Sequence, residues 1–302
     1  MPDHFKPEQQ LANPEREREY TSRVLLHFFR HGEKESIPGR TNEEQMLTAA
    51  GRRQGLETGL MRPEAKPSAM AFGSDIPRSQ EMAGFDLAGA QRREDISGDE
   101  SLDELRDILD QDIKIGTKLA VDPRLGFHYD DPGLLAEATK AYKNGQALKF
   151  VVENSDEIAK NAGDNDSTTY AKSAANVSEI LNKYMTIASR FDQIVSDEDK
   201  KEKYSDTLER FMGSHAGVID VFLCKVVEKL KGVEVRNKLV QALNNNGFNF
   251  AEGFDIEIDV INGETQMRIK YSKPEDERGE AFEIDEMIPR EMLEEMMEAG
   301  GK

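Results

Sequence analysis

Two arginines and two histidines stand where short apolar runs end. Residues 24–29 run into Arg30-His31-Gly32. Residues 69–73 run into Ser74-Asp75-Ile76-Pro77-Arg78, and residues 208–213 run into Ser214-His215-Ala216-Gly217. An arginine is permanently charged, and its planar fork matches the oxygens of a phosphate. A neutral imidazole is a nucleophile near physiological pH. A histidine nucleophile splits one difficult displacement into two easier ones. A phosphoryl transition state asks chiefly for positioning and for positive charge around its equatorial oxygens. Two guanidinium groups and two imidazoles at one place would supply both.

That convergence depends on the elements carrying them. Short, fully apolar runs fit buried parallel strands. Sites in open α/β sheets form outside the carboxyl ends of such strands. Thr48 is an N-cap candidate for a helix over 48–61, and Pro77 opens a helix over 77–88. Ser101 and Glu104 form a capping box for a third helix. From about 131 to 200 helical stretches dominate, at 132–145, 147–161 and 167–192. An apolar helix over 217–231 is closed by Gly232. Residues 254–261 and 265–272 alternate apolar and polar around Asn262-Gly263, a strong hairpin signal. The expected fold class is α/β: a three-layer α/β/α sandwich with a mostly parallel sheet, its edge finished by that hairpin, and a helical cap insertion at about 131–200 covering the site. Residues 1–22 are expected to be a flexible arm, 23–275 the α/β domain with its cap, and 276–302 an acidic tail whose methionines dock on the protein's own body.

Composition narrows the function classes. The chain of 302 residues is 37% hydrophobic and 33% charged, with a net charge of −19, of which residues 274–302 supply −8. A surface of that sign disfavours nucleic acid and anionic lipid as partners, while a few buried cations still suffice for a small anionic substrate. The single cysteine, Cys224, excludes an intrachain disulfide and a cysteine-based zinc knuckle, and its apolar neighbours make it a core residue. No leader-like apolar segment stands at the beginning, and no run is long enough to span a bilayer. A cytoplasmic protein with a small phosphorylated substrate, no metal and no cofactor is the expectation.

The run Leu25-Leu26-His27-Phe28-Phe29-Arg30-His31-Gly32-Glu33 resembles the Arg-His-Gly motif of the histidine phosphatase superfamily, in its phosphoglycerate mutase-like form. Residues 47–54, Leu-Thr-Ala-Ala-Gly-Arg-Arg-Gln, resemble that family's Leu-Thr-x-x-Gly-x-x-Gln helix start. Residues 74–83 resemble its second-arginine segment, and residues 214–219 its second-histidine segment. The resemblance implies a phosphatase that forms a phosphohistidine on His31, with Arg30, Arg78 and His215 binding the phosphoryl oxygens and Gly217 offering a backbone N–H. It further suggests Arg40, in a Gly-Arg pair, as a phosphate contact.

The family's general acid is a glutamate in a Glu-x-x-Phe-Gly pattern or an aspartate directly after the second histidine. Here Asp122 opens Asp-Pro-Arg-Leu-Gly and Ala216 follows His215. Asp122 is therefore the favoured acid, with Asp130, Asp131 and Glu153 as alternatives. Lys34 and Ser36 stand where the mutase-like pattern has Ser or Thr and then Asn. Two other readings stay open: a catalytically idle anion-binding protein, and a phosphomutase.

Overall fold

The computed structural model describes residues 20–111, 113–197, 205–277 and 279–301. Most of the expected N-terminal arm, residues 1–19, lies outside them. The described strands are β1 (Ser22–Arg30), β2 (Met70–Gly73), β3 (Leu119–Val121), β4 (Thr207–Ser214), β5 (Gly253–Ile261), β6 (Glu264–Lys273) and β7 (Phe282–Met287). They form one sheet in the order β3-β2-β4-β1-β5-β6-β7. β1 to β4 are mutually parallel; β5 runs against β1, β6 against β5 and β7 against β6. Five strands thus share one direction, and the sheet is mostly parallel as expected.

Helices cover both faces. On one face lie α1 (Ala49–Met61), α2 (Pro77–Ala90) and α3 (Leu102–Asp110). On the other lie α5 (Ala147–Ala162), α6 (Tyr170–Val195), α7 (Ile219–Lys231), α8 (Val233–Ala242) and α9 (Arg290–Gly300), with α4 (Pro132–Lys143) stacked on α5. The alternation of β1 divides the core accordingly. Val24, Leu26 and Phe28 join α6 and α7 in one cluster, and Phe29 joins Ala71, Phe85 and Phe211 in the other. Cys224 is buried in the first cluster. His27 is buried on the α1–α2 side between Asp255 (2.7 Å) and Glu209 (2.9 Å).

Packing revises two expectations, and the docking of the tail methionines on the protein's own body holds. The Asn262-Gly263 hairpin forms, with both residues at positive φ, but it does not end the sheet. β7 pairs outside it, and its three acidic residues, Glu283, Asp285 and Glu286, suit an exposed edge. The stretch 131–200 divides in two: α6 packs against β1, β5, β6 and α7, and only α4 and α5 overhang the strand ends. The cause lies in α6, whose buried side includes Ala174, Val177, Ile180, Leu181 and Tyr184. The acidic tail forms β7 and α9, and Met292, Leu293 and Met296 bury their side chains, with α9 lying along α6.

Two glycines set the distance between α2 and the sheet. A Cβ at Gly213 on β4 would meet the Ser79 carbonyl oxygen at 2.2 Å, and one at Gly73 on β2 would meet the Gln80 backbone at 2.5 Å. The first turn of α2 therefore lies directly on the strand ends, and Arg78 rides on that turn. No helix among the described residues is long and apolar enough to cross a membrane.

Candidate active site

Register brings the two histidines together. β1 and β4 are parallel with Arg30 opposite Ser214, and the His31 N–H donates to the Ser214 carbonyl at 2.9 Å. The next residue on each strand is a histidine, and the two rings meet edge to face with centroids 5.1 Å apart. β2 lies on the other side of β4 and delivers Ser74, whose Oγ is 2.8 Å from His215 Nε2. The first turn of α2 supplies Arg78, whose Nε–H donates to His31 Nε2 at 3.1 Å.

These contacts determine which nitrogen of His31 carries the proton. Nδ1 lies 2.7 Å from the Gly32 carbonyl oxygen, which can only accept, so Nδ1 holds the hydrogen. Nε2 keeps its lone pair and accepts from Arg78. Burial, with Arg78 and Arg30 alongside, holds the imidazole well below the usual histidine range. His31 is therefore neutral at neutral pH, with its nucleophilic atom facing a guanidinium.

His215 is also buried. Its pKa is pushed well down by burial and then by His31, Arg78 and Arg30, and its Nδ1 has no hydrogen-bond partner among the described residues. Burial pulls the Arg78 guanidinium down to about 10, with Arg30 adding to the effect and Glu43 opposing it, so it stays charged at neutral pH. Arg30 donates to the Phe248 carbonyl and lies over the Phe250 ring at 4.7 Å, while its Nε is buried with no hydrogen-bond partner among the described residues. Buried polar atoms of this kind are rare unless something else completes them.

The neutral state of His31 and His215 has a direct test. The chain has five histidines. In an NMR titration of the ligand-free protein, the rings of His31 and His215 should remain unprotonated as the pH falls through 6.5, the ordinary value. Midpoints near that value for both rings would show them open to water and would remove the case for a prepared nucleophile.

A cleft of about 350 Å³ opens over this floor, lined in part by Arg30, His31, Arg78, His215 and Gly217. The structure thus brings five of the sequence-selected residues together. Gly217 has φ +86°, but its N–H is already donated to Asp220 Oδ1 at 2.7 Å, so its expected role as an anion-binding donor is not available in this arrangement.

Two selected residues lie elsewhere. Arg40 follows Gly39 in an outward turn, is half exposed, and pairs with Glu35 at 3.5 Å on a neighbouring shallow pocket. Asp122 does not line the cleft. It accepts the backbone N–H of Arg124 and binds its guanidinium through both oxygens, at 2.9 and 2.7 Å. Although burial opposes it, this pairing lowers the Asp122 pKa, the reverse of what a proton donor needs. The Asp-Pro-Arg-Leu-Gly spacing builds a capped 3-10 turn rather than an acid. Asp130, Asp131 and Glu153 are also outside the lining: Asp130 pairs with exposed His128, and Asp131 caps α4.

The cleft contains groups that the sequence did not single out. Glu43 is the one carboxylate among the described lining residues. Lys34, first read as a departure from a motif, lines the cleft and donates to Asn42 Oδ1 at 2.5 Å. Behind Arg30, the buried carboxylate of Asp220 accepts N–H groups from Gly217, Val221 and Phe248, and burial pushes it up to about 6. It ties the start of α7 to the segment that carries Phe248 and Phe250. The only hint of it in the sequence was an acidic residue in the first turn of an otherwise apolar helix.

No known family profile matches the chain, and no curated protein matches it. Among solved structures, a mycobacterial glucosyl-3-phosphoglycerate phosphatase is similar at 14% identity over 78% of this chain and 90% of that one, with a TM-score of 0.40. A second structure, named mycobacterial hydrolase 1, has 14% identity over 88% and 97%, also with a TM-score of 0.40. Hafnia alvei phytase has 10% identity over 94% and 97%, with a TM-score of 0.37. Likeness at these scores carries neither fold nor activity across, and the functional reading rests on the site itself.

Proposed function

We propose that this chain is a metal-independent phosphomonoester hydrolase of the histidine phosphatase superfamily, working through a phosphohistidine on His31. One observation carries the reading: His31 is a buried neutral imidazole whose Nδ1–H is committed to the Gly32 carbonyl, leaving the Nε2 lone pair beside Arg78 in a cleft floored by Arg30 and His215.

The chemistry follows from the placement. Arg30, Arg78 and His215 bind the nonbridging phosphoryl oxygens. His31 Nε2 attacks phosphorus, the ester P–O bond breaks, and the leaving oxygen takes a proton from the Glu43 carboxyl. In the second step Glu43 takes a proton from water, whose oxygen attacks phosphorus and breaks the N–P bond. Inorganic phosphate leaves and His31 is restored.

The test is a rapid quench into alkaline denaturant with radiolabelled p-nitrophenyl phosphate in buffer containing EDTA. An acid-labile, base-stable phosphoenzyme and steady phosphate release are expected. The idle-pocket reading draws on Ala216, which stands where the resemblance would place an acid. Binding of phosphate without labelling of the protein would favour it and end the hydrolase reading.

The assignment of Glu43 makes a prediction of its own. Glu43→Gln should slow phosphoenzyme formation from an alkyl phosphate by roughly 10²–10⁴-fold, and much less from p-nitrophenyl phosphate, whose phenolate leaves unaided. Asp122→Asn should show no such dependence on the leaving group. If both substrates lose the same factor in Glu43→Gln, Glu43 orders the loop of Asn42 and donates no proton.

A further inference from the structure

The cleft has two chemically different walls. Its floor is polar and net cationic: Arg30, Lys34 and Arg78, with Asn42 and Glu43, accompany the two histidines. The opposite wall, from α4, α5 and the segment after β3, is largely hydrocarbon and aromatic: Phe127, Tyr129, Leu135, Tyr142, Phe150 and Val151. The two meet without a polar gap, because the Phe127 ring stands edge-on to His215 with centroids 5.2 Å apart. Apolar surface therefore begins within one ring's breadth of the phosphoryl position.

Much of that wall faces water. Leu135 is 47% exposed and Tyr142 56% exposed. Apolar groups in water gain by being covered, in proportion to the area removed. A polyol placed there would give up hydrogen bonds to water, and the wall offers few replacements: the Thr139 hydroxyl and the phenols of Tyr129 and Tyr142. The cleft is small, about 350 Å³, which suits a phosphoryl group with a compact body rather than a long chain.

Resting on the hydrolase reading above, we propose that the substrate is a small phosphomonoester whose alcohol portion is apolar and ring-bearing, an aryl or arylalkyl phosphate, and that α4 and α5 select it against sugar and glycerol phosphates. The phosphoryl group lies on the cationic floor and the ring lies against Phe127, Leu135 and Tyr142.

Two readouts separate this proposal from the reading beneath it. Binding is measured with benzylphosphonate and hydroxymethylphosphonate, which cannot be hydrolysed. Turnover is measured with benzyl phosphate, glycerol 3-phosphate and glucose 6-phosphate, whose leaving groups are all primary alkoxides. Benzylphosphonate should bind roughly 30-fold more tightly than hydroxymethylphosphonate, the gain from covering one ring face. The kcat/KM for benzyl phosphate should exceed that for the two polyol esters by a similar factor. Leu135→Asn and Tyr142→Ser alter exposed residues and should fold. Each should erase several-fold of the benzyl preference, read as the ratio of kcat/KM for benzyl phosphate to that for glycerol 3-phosphate. Equal binding of the two phosphonates, or faster turnover of the polyol esters, overturns the proposal even if a phosphoenzyme forms. A benzyl preference in binding with no phosphoenzyme from any ester upholds the apolar wall and overturns the hydrolase reading instead.

Discussion

His31→Ala should abolish phosphoenzyme formation and turnover, a loss on the order of 10⁴-fold or more, as expected when a covalent nucleophile is removed. The protein should still fold. His31 follows the last residue of β1, and its ring contacts are with Gly32, Arg78, His215 and Phe250, all at the cleft end. Circular dichroism and thermal melting close to the parent would establish that the loss is chemical. The same variant should still bind vanadate or phosphate, because Arg30, Arg78 and His215 remain. Near-parent hydrolysis by His31→Ala would place the reaction on another group and end the covalent mechanism.

Arg78→Ala should weaken phosphate binding and slow phosphoenzyme formation together, by about 3 kcal/mol, roughly a hundredfold, the size expected for one strong preorganised electrostatic partner. Its position explains both effects. The guanidinium spans the floor, donating to His31 Nε2 through Nε and to the Asn42 carbonyl at 2.5 Å through Nη1. Removing it takes a positive charge from the phosphoryl site and releases the loop that carries Glu43. Arg78→Lys should recover part of the loss, since an ammonium restores charge without the two-pronged contact. Single-turnover labelling at saturating substrate and phosphate titration would separate the two components. Full recovery with lysine would show that only diffuse charge matters.

Much of this arrangement was readable in the sequence because strand ends give a clear signal. The apolar runs at 24–29, 69–73 and 208–213 locate the rim, and the residues just past them are His31, Ser74 and His215. The elements that were missed have weak local signals. β3 has three residues, too few for a pattern, and β7 holds its place by pairing with β6. The general acid misled for a physical reason. A carboxylate two residues before an arginine, with proline between them, closes a turn on that arginine, and spacing alone does not reveal this. Glu43 could not be found from periodicity, because it lies in a loop whose course is set by Arg78 bonding to the Asn42 carbonyl. The division of 131–200 was hidden because amphipathic helices read alike whether they cover a sheet or overhang a cleft.

The central position of β1 has a consequence for how the molecule is made. Its neighbours, β4 and β5, come from far along the chain: His27 on β1 meets Glu209 across 182 residues, and Ser74 meets His215 across 141. Pairings of such long range form slowly. During synthesis β1 emerges early, and both its edges stay open until β4 and β5 have followed it. Throughout that interval Val24, Leu26, Phe28 and Phe29 form a bare apolar strand, a template for any other open edge in the cell. The pairing that sets the two imidazoles side by side is thus completed only after β4 and β5 have been made, and the yield of folded protein should depend on slow growth or on chaperones that shield β1 until then.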